Sequence, residues 1–434
     1  MEDPVLLARA QFGLNIGFHI MFPALTIALG WFLVGFRLAF QRTRDPRWLA
    51  TYKLWLKVFA LSFAMGVVSG ITMSFQFGTN WPNFMNKVGA IAGPLLAYEV
   101  LTAFFLEATF LGIMLFGMNR VPDWVHVMST FLVAGGTTLS AFWILALNSW
   151  MQTPQGQVLD GSQWIAQDWI RVIFNPSFPY RMTHMLIASG LTASFVIIGL
   201  SAWRLLKEST DSGALRTLRV GLLTAAVLAP VQLFVGDQHG LNTLEHQPAK
   251  IASMEALWKT TRDMPLVLFA IPNEKEKRND FAIEIPYAGS LILRHSMDGE
   301  VKGVEAFEPD RPAVTPLFFA FRVMVGLGML MIALSWYGTW ATRKGNAAPR
   351  RWLLWIFAGA TFSGWVATMC GWLVTEMGRQ PWLVTGILRT KDAAGEVTGA
   401  ELGMSLTGYA LTYAGLLIAY MIVLTHMAGK GAES

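Results

Sequence analysis

The chain has 434 residues, of which 54% are hydrophobic and only 14% charged, and its mean hydropathy is +0.45. Because soluble domains carry about a quarter charged residues, this composition excludes a soluble protein and predicts a chain that lies mostly in lipid. The formal net charge is +5. The basic residues cluster beside apolar runs as topology signals do, so nucleic acid is not expected as a partner.

Nine apolar runs are long enough to cross a bilayer, which takes about 20 helical residues. The sequence therefore predicts an all-α integral membrane protein, a bundle of nine transmembrane helices. The N-terminus lacks a basic region and a cleavage site, so the first run is expected to be retained. The predicted spans are 12–38, 54–77, 94–118, 124–148, 182–205, 217–236, 315–340, 352–376 and 403–427.

One long polar insert, residues 237–314, divides the chain into six predicted helices within 1–236 and three within 315–434. Lysine and arginine are abundant after the first, fifth and seventh spans, and sparse in the short segments of opposite parity. Cytoplasmic loops carry this basic excess. The pattern predicts an outer N-terminus, a cytoplasmic C-terminus and an insert on the outer, periplasmic face.

The single cysteine, Cys370, lies in an apolar run. It permits no intrachain disulfide, no cysteine-ligated iron–sulfur cluster and no C-x-x-C-H haem attachment. Any metal cofactor must therefore use histidine, methionine or carboxylate ligands.

Five ionisable side chains fall inside predicted spans, where they are costly and indicate function. They are His19, Glu99, Glu107, His184 and Glu376. Helix parity puts all of them except the deeper Glu107 near the outer face, and Met324 falls at the same level. Histidine and methionine at one depth could ligate haem iron. Hydrogen bonding between helices and ordinary packing remain the alternative interpretation.

Two arginines accompany these residues. Arg322 lies two residues before Met324, and Arg379 follows Glu376 closely. A buried arginine needs an anion, and a haem propionate would serve.

Glu99 and Glu107 are eight residues apart, which in an α-helix gives about 12 Å of rise and an offset near 80°. They suit a proton relay, because a buried carboxyl can accept and pass protons. The alternative is two unrelated hydrogen bonds between helices.

The insert begins GDQHGLNTLEHQPAKIASMEALW. The second half of this segment is predicted to form an amphipathic helix at the membrane interface. Lys250 and Glu255 lie there beside apolar residues and could hold a ligand with a polar head and an apolar tail.

Four motifs together resemble subunit I of the cytochrome bd-type quinol oxidases over essentially the whole chain. They are FQFGTNW at 75–81, EHQPAKIA from Glu245, FRVMVGLG at 321–328 and GRQPW at 378–382. The resemblance implies nine helices with the N-terminus outside, three haems near the outer face, and a quinol-binding Q-loop formed by the insert. It also implies a partner subunit II of related fold and sometimes a small single-helix accessory subunit.

The resemblance also implies residue roles. His184 and Met324 match the axial ligands of a low-spin haem b, and His19 and Glu376 match ligands of the two high-spin haems. Glu99 matches a carboxylate at that haem pair and Glu107 one on the proton path. The remaining matches are Lys250 and Glu255 at the quinol site, Arg322 and Arg379 near the haems, and Asn148 at a polar position of the fourth helix.

Two features depart from the common family pattern. Ser74 stands where a glutamate usually precedes FQFGTNW, and the Q-loop is short. Both resemble the cyanide-insensitive branch, in which the third site holds haem d or a third haem b. The quinol is ubiquinol or menaquinol.

Two other functions are compatible with some of these features. A proton-coupled secondary transporter would use the membrane carboxylates but leaves the two histidines and Met324 unexplained. A haem-b membrane anchor of a quinone-linked dehydrogenase would bind haem and quinol without reducing oxygen.

Overall fold

A computed structural model describes residues 3–343 and 348–430, with side chains through residue 427. Lys344, part of the predicted basic loop after the seventh span, lies outside the described residues. Within the described part, nine helices are long and apolar enough to cross a membrane, which confirms the predicted bundle. We label them α1 Pro4–Thr43, α2 Pro46–Thr79, α3 Pro82–Phe116, α4 Asp123–Gln152, α5 Phe178–Lys207, α6 Ser212–His246, α7 Val314–Thr342, α8 Arg351–Met377 and α9 Gly399–Lys430.

Most helices extend beyond their predicted spans because polar caps and extra turns lie outside the apolar core. Asp3, Asp45 and Asp211 accept hydrogen bonds from backbone N–H groups in the first turns of α1, α2 and α6, as N-caps do. Helix α6 continues to His246, so the first ten residues of the predicted insert are helical. The insert proper is therefore 247–313.

Two spans are not uniform α-helices. In α3, a π-helical segment, Glu99–Phe104, separates the α-helical parts Pro82–Tyr98 and Phe105–Phe116. Helix α8 consists of Arg351–Gly359 and Ser363–Met377. Hydrophobic periodicity does not report such irregularities, and π segments occur frequently at functional sites.

Close packing holds the break in α8 against α5. A Cβ at Gly199 would lie 1.9 Å from Thr361 Oγ1, and one at Gly364 would lie 2.5 Å from Thr192 Cα. Only glycine permits this approach, and small residues at helix contacts are typical of membrane bundles. Helix α5 is the most enclosed span of the described bundle, and α9 is the most peripheral.

The insert contains two short α-helices, Pro248–Met254 and Ala288–Arg294, and a 3-10 turn, Val304–Phe307. Strands Leu266–Asn273 and Arg278–Ile285 form an antiparallel hairpin. Glu274 lies in the turn of this hairpin. It accepts hydrogen bonds from the N–H groups of Val314 (3.0 Å) and Thr315 (3.1 Å) and so caps α7.

Smaller elements join the spans. Strands Gln157–Asp160 and Gln163–Ala166 pair, as do Trp382–Val384 and Leu388–Arg389. Short helices occupy Trp169–Ile173 and Thr390–Ala393.

The insert forms a helix in the predicted segment, Pro248–Met254, but the prediction that this helix is amphipathic and lies at the membrane interface is wrong. The structure has only seven helical residues there, and residues 250–254 are all buried. Lys250 is 3% exposed and Glu255 is 6% exposed. The segment packs into the end of the bundle instead of lying on a membrane surface, because its polar side chains find partners on the transmembrane helices.

Candidate functional site

The insert covers one end of the bundle, which we call the insert end, and Lys250 is fixed there between three elements. Its Nζ donates hydrogen bonds to Oε1 of Gln152 at the end of α4 (2.7 Å) and to Oε1 of Gln247 (2.8 Å). A longer bond of 3.4 Å reaches the carbonyl of Thr375 on α8. The insert is thereby tied to two spans through one buried amino group.

Burial lowers the pKa of Lys250 well below its ordinary value, and the positive charges of Arg181 and Arg379 lower it further. The carboxylate of Glu376 opposes this shift. A lowered lysine pKa favours the neutral amine, which can exchange a proton with a bound ligand.

Glu376 is the acid of this cluster. It forms an ion pair with Arg379 and accepts a 2.7 Å hydrogen bond from Asn148 Nδ2 on α4. Arg379 Nε, Arg379 Nη1 and Arg181 Nε are buried and have no hydrogen-bond partner among the described residues. Three cationic side chains thus surround one carboxylate, and their unpaired donors suit a further anion.

Glu255 forms a separate pair with Arg322. Arg322 Nη2 lies 2.6 Å from Glu255 Oε2, and Arg322 Nε donates to the carbonyl of Val267 at 2.6 Å. The guanidinium also stacks over the ring of Phe318. In this structure the anion for Arg322 is therefore a carboxylate of the insert, and Lys250 and Glu255 have different partners.

His184 on α5 faces α6. Gln232 Nε2 lies 3.2 Å from His184 Nε2, and the ring of His239 lies 5.6 Å from the His184 ring between centroids. A Cβ at Gly236 would lie 3.6 Å from His184 Nε2. Met324 on α7 instead faces α8, so the structure gives the two predicted ligands of one haem different neighbours.

Each of the three predicted sulfur or nitrogen ligands faces a glycine on the next helix. A Cβ at Gly371 would lie 3.1 Å from Met324 Sδ, and one at Gly70 would lie 3.2 Å from His19 Cε1. Together with Gly236 beside His184, these glycines let a neighbouring helix approach each predicted ligand closely.

His19 Nδ1 and Ser69 Oγ are 3.0 Å apart, which orients the imidazole. In the described part of the chain, no three His, Cys, Asp or Glu side chains converge on a metal position. Haem supplies its own ring nitrogens and needs only axial ligands. The donor types and the unpaired arginine donors fit haem with its two propionates.

Glu99 and Glu107 both face α4. Glu99 Oε1 accepts a 2.7 Å hydrogen bond from Ser140 Oγ. A Cβ at Gly136 would lie 2.7 Å from Glu107 Cγ, and Glu107 is 6% exposed. The π-helical segment lies between the two acids, so the α-helical offset near 80° does not apply. Their contacts on α4 are four residues, or one turn, apart.

Glu107 Oε1 is buried without a hydrogen-bond partner among the described residues. Burying a carboxyl oxygen without a partner in an apolar bundle is costly, so this atom is suited to a further hydrogen-bond partner.

Sequence reasoning missed several residues of this site. Arg181 is one of the few basic residues near the outer helix ends, but it lies within α5 and is 6% exposed. Gln152, Gln232 and His239 contact predicted site residues and are not among the predicted residues themselves. The sequence feature that could have identified these residues is their polarity in the outer turns of α4, α5 and α6.

Ser74 lies on an exposed face of α2 and donates a 3.1 Å hydrogen bond to the carbonyl of Gly70 in its own helix. The Ser74 side chain therefore contacts the backbone of the glycine that lies beside His19.

The sequence model of the cytochrome bd terminal oxidase subunit I family matches residues 7–432. Cytochrome bd-II ubiquinol oxidase subunit 1 of Escherichia coli is 31% identical, with 100% of this chain and 98% of the relative covered. Cytochrome bd ubiquinol oxidase subunit 1 of Bacillus subtilis is also 31% identical, over 99% and 94% of the two chains.

The fold resembles that of the bd oxidase from Geobacillus thermodenitrificans. The TM-score is 0.91 at 30% identity, and the match covers 98% of both chains.

The Glu255–Arg322 pair generates a stability prediction. Either Glu255→Leu or Arg322→Leu leaves an uncompensated charge, so each should cost about 3–5 kcal/mol, whereas the double variant should recover part of the loss. Limited proteolysis of the insert in the purified complex measures the opening free energy. The exposed pair Lys277–Glu308 is the control and should contribute at most about 1 kcal/mol. Strictly additive single effects would show that the buried pair is not coupled.

Proposed function

The chain belongs to the cytochrome bd terminal oxidase subunit I family. From that premise we propose which of its residues bind haem, which bind quinol and which transfer protons. It is an oxidoreductase of the bacterial inner membrane that passes electrons from quinol to oxygen, which excludes the transporter and dehydrogenase-anchor alternatives. The observation that supports the proposed site most strongly is the buried cluster of Lys250, Arg181 and Arg379 around Glu376, because it joins the insert to the helices that carry the ligand candidates.

His184 and Met324 would hold a low-spin haem b, and His19 and Glu376 would serve the two high-spin haems, of which one is haem b and the other is haem d or a third haem b. The donor types support these assignments, because histidine and methionine are ordinary axial ligands of haem iron. Arg181 and Arg379 offer unpaired donors to propionates. When bound, haem supplies electron transfer and oxygen reduction.

The insert, residues 237–314, is the quinol-binding Q-loop. Lys250 accepts a hydrogen bond or a proton from a quinol hydroxyl at Nζ, and Gln152 and Gln247 position that atom. Arg322 orients Glu255 through their ion pair. Buried polar groups that bind only a polar head, with apolar neighbours for the tail, suit either ubiquinol or menaquinol.

Protons for oxygen reduction enter from the cytoplasm through Glu107 and reach Glu99, whose carboxylate is held by Ser140. Quinol protons leave at the insert end, which faces outside while the C-terminus is cytoplasmic. Proton uptake from the cytoplasm and proton release outside therefore separate charge across the membrane without proton pumping. The missing partner of Glu107 Oε1 supports a transferable proton at that atom.

The family is multisubunit, and we propose that this chain pairs with subunit II, with or without a single-helix accessory subunit. Apolar side chains exposed along α2 and α3, including Val68, Ile71, Leu101 and Phe105, support contact with lipid and partner helices. Ser74 and the short insert support a place in the cyanide-insensitive branch.

Met324→Leu keeps the side-chain volume but removes the thioether. The complex should assemble while the low-spin haem becomes high-spin or is lost, which a reduced-minus-oxidised visible spectrum measures. Met329→Leu, at an exposed position of the same helix, should leave the spectrum unchanged. An unaltered alpha band in Met324→Leu would exclude Met324 as an axial ligand.

Lys250→Ala should slow quinol oxidation several-fold while an artificial donor that bypasses the Q-loop still drives oxygen uptake. The wild-type rate should change with pH below the ordinary lysine range of about 10.4, and the variant should lose this dependence, because burial lowers the pKa of Lys250. Exposed Lys259→Ala is the control. Equal loss with both donors would place the lesion at the haems or in folding.

Glu107→Gln keeps shape and hydrogen-bonding capacity but removes the exchangeable proton. Haem content should persist and turnover should fall. In flash experiments on the carbon monoxide-bound, reduced complex, oxygen binding should keep its rate and the later proton-coupled phase should slow. Glu208→Gln at an exposed loop position should change neither phase. Normal late phases in Glu107→Gln would make Glu107 a packing residue.

A further inference from the structure

Polar side chains form a continuous seam between α1 and α2 that the proposed mechanism does not use. At the insert end, the exposed Thr79 donates its hydroxyl to Asn80 Oδ1 at 2.9 Å. Asn80 Nδ2 donates to Gln11 Oε1 at 2.7 Å, and Gln11 Nε2 donates to Ser405 Oγ of α9 at 2.9 Å. Both Gln11 and Asn80 are buried.

The seam continues toward His19. Tyr413 of α9 donates to Asn15 Oδ1, and its hydroxyl lies 3.2 Å from Thr72 Oγ1. Ser69 Oγ lies 3.0 Å from His19 Nδ1. Because these residues repeat at three- and four-residue intervals along antiparallel helices, they occupy facing surfaces at successive depths.

Gln76 lies between the two groups, four residues before Asn80 and four after Thr72. It is 2% exposed, and neither Nε2 nor Oε1 has a hydrogen-bond partner among the described residues. Exchanging the amide nitrogen and oxygen cannot correct this, because both atoms are unpaired. The ring contact between Phe12 and Phe77, 5.9 Å between centroids, fixes the level of Gln76 relative to α1.

Two further donors of this region are unpaired in the described structure, Asn15 Nδ2 and Trp81 Nε1, whose residues are 0% and 4% exposed. A buried polar group that lacks a partner destabilises the fold. Such groups in native proteins are normally satisfied by ordered water, which makes two to four hydrogen bonds.

We propose that ordered water molecules bind in this seam between α1, α2 and α9, that Gln76 is the residue that holds them, and that the seam joins the outer surface at Thr79 to the His19 side of the site. The ligand is neutral because the polar groups that line the seam on α1, α2 and α9 are amides, hydroxyls and the indole of Trp81, which offer both donors and acceptors. An ion would need a compensating charge.

The seam also has a place in the reaction. If His19 lies at the oxygen-reducing site, as the proposed function holds, the water formed from oxygen needs a polar route out of an apolar bundle. The seam supplies one, so Gln76 is a positioning residue for product release.

Hydroxyl-radical footprinting of the resting complex tests the water site, because buried side chains beside bound water are labelled while dry ones are not. Tyr413 and Tyr420 form a matched pair: both are on α9, they are 4% and 3% exposed, and both contact a hydroxyl on α2. Tyr413 should be labelled several-fold faster than Tyr420, and Trp81 faster than Trp55. Equal rates within both pairs would overturn the proposal.

Gln76→Leu should reduce Tyr413 labelling to the Tyr420 rate, and exposed Ser74→Ala should not. Persistent fast labelling in Gln76→Leu would overturn the assignment of Gln76. The same variant should keep its haem spectrum and its anaerobic reduction by quinol but consume oxygen several-fold more slowly. Unchanged oxygen consumption would overturn the product route. Wild-type complex with fast Tyr413 labelling and no oxygen uptake would contradict the proposed function, not the water site.

Discussion

The buried excess of positive charge at the insert end constrains the rest of the site. Lys250, Arg181 and Arg379 are all buried near one another, and Glu376 is the carboxylate in contact with this group. Charges in such a place are tolerated only when they are paired or neutralised. The cluster therefore draws the insert onto α4 and α8 through Lys250, lowers the pKa of that lysine, and leaves arginine donors available to an anion.

The helices around this cluster approach closely only where glycine permits it. Glycines lie opposite His19, His184 and Met324, and others let α5 contact the broken helix α8. In a bilayer, the association of helices depends on packing and internal hydrogen bonds, since lipid is as apolar as a leucine side chain. The same small residues thus determine how closely the neighbouring helices pack against the ligand candidates.

Irregular helical geometry occurs next to the membrane acids. The π-helical segment of α3 begins at Glu99 and ends three residues before Glu107, and both carboxyl groups meet α4. A π segment rotates the residues that follow it relative to a regular α-helix. The facing positions of the two acids are therefore a property of this segment together with α4, where Ser140 and Gly136 receive them.

The sequence by itself determined the nine spans, the polar insert and the identity of most site candidates, because hydrocarbon thickness and the cost of membrane charges leave few alternatives. The quoted motifs also led to the correct family. Tertiary structure decided the pairings. Only packing of α4 and α8 against residues 248–254 makes Lys250 buried, where helical periodicity had predicted an interfacial helix. Likewise Arg322 meets Glu255, and Arg181 joins the site, because residues distant in sequence become neighbours only when the helices assemble.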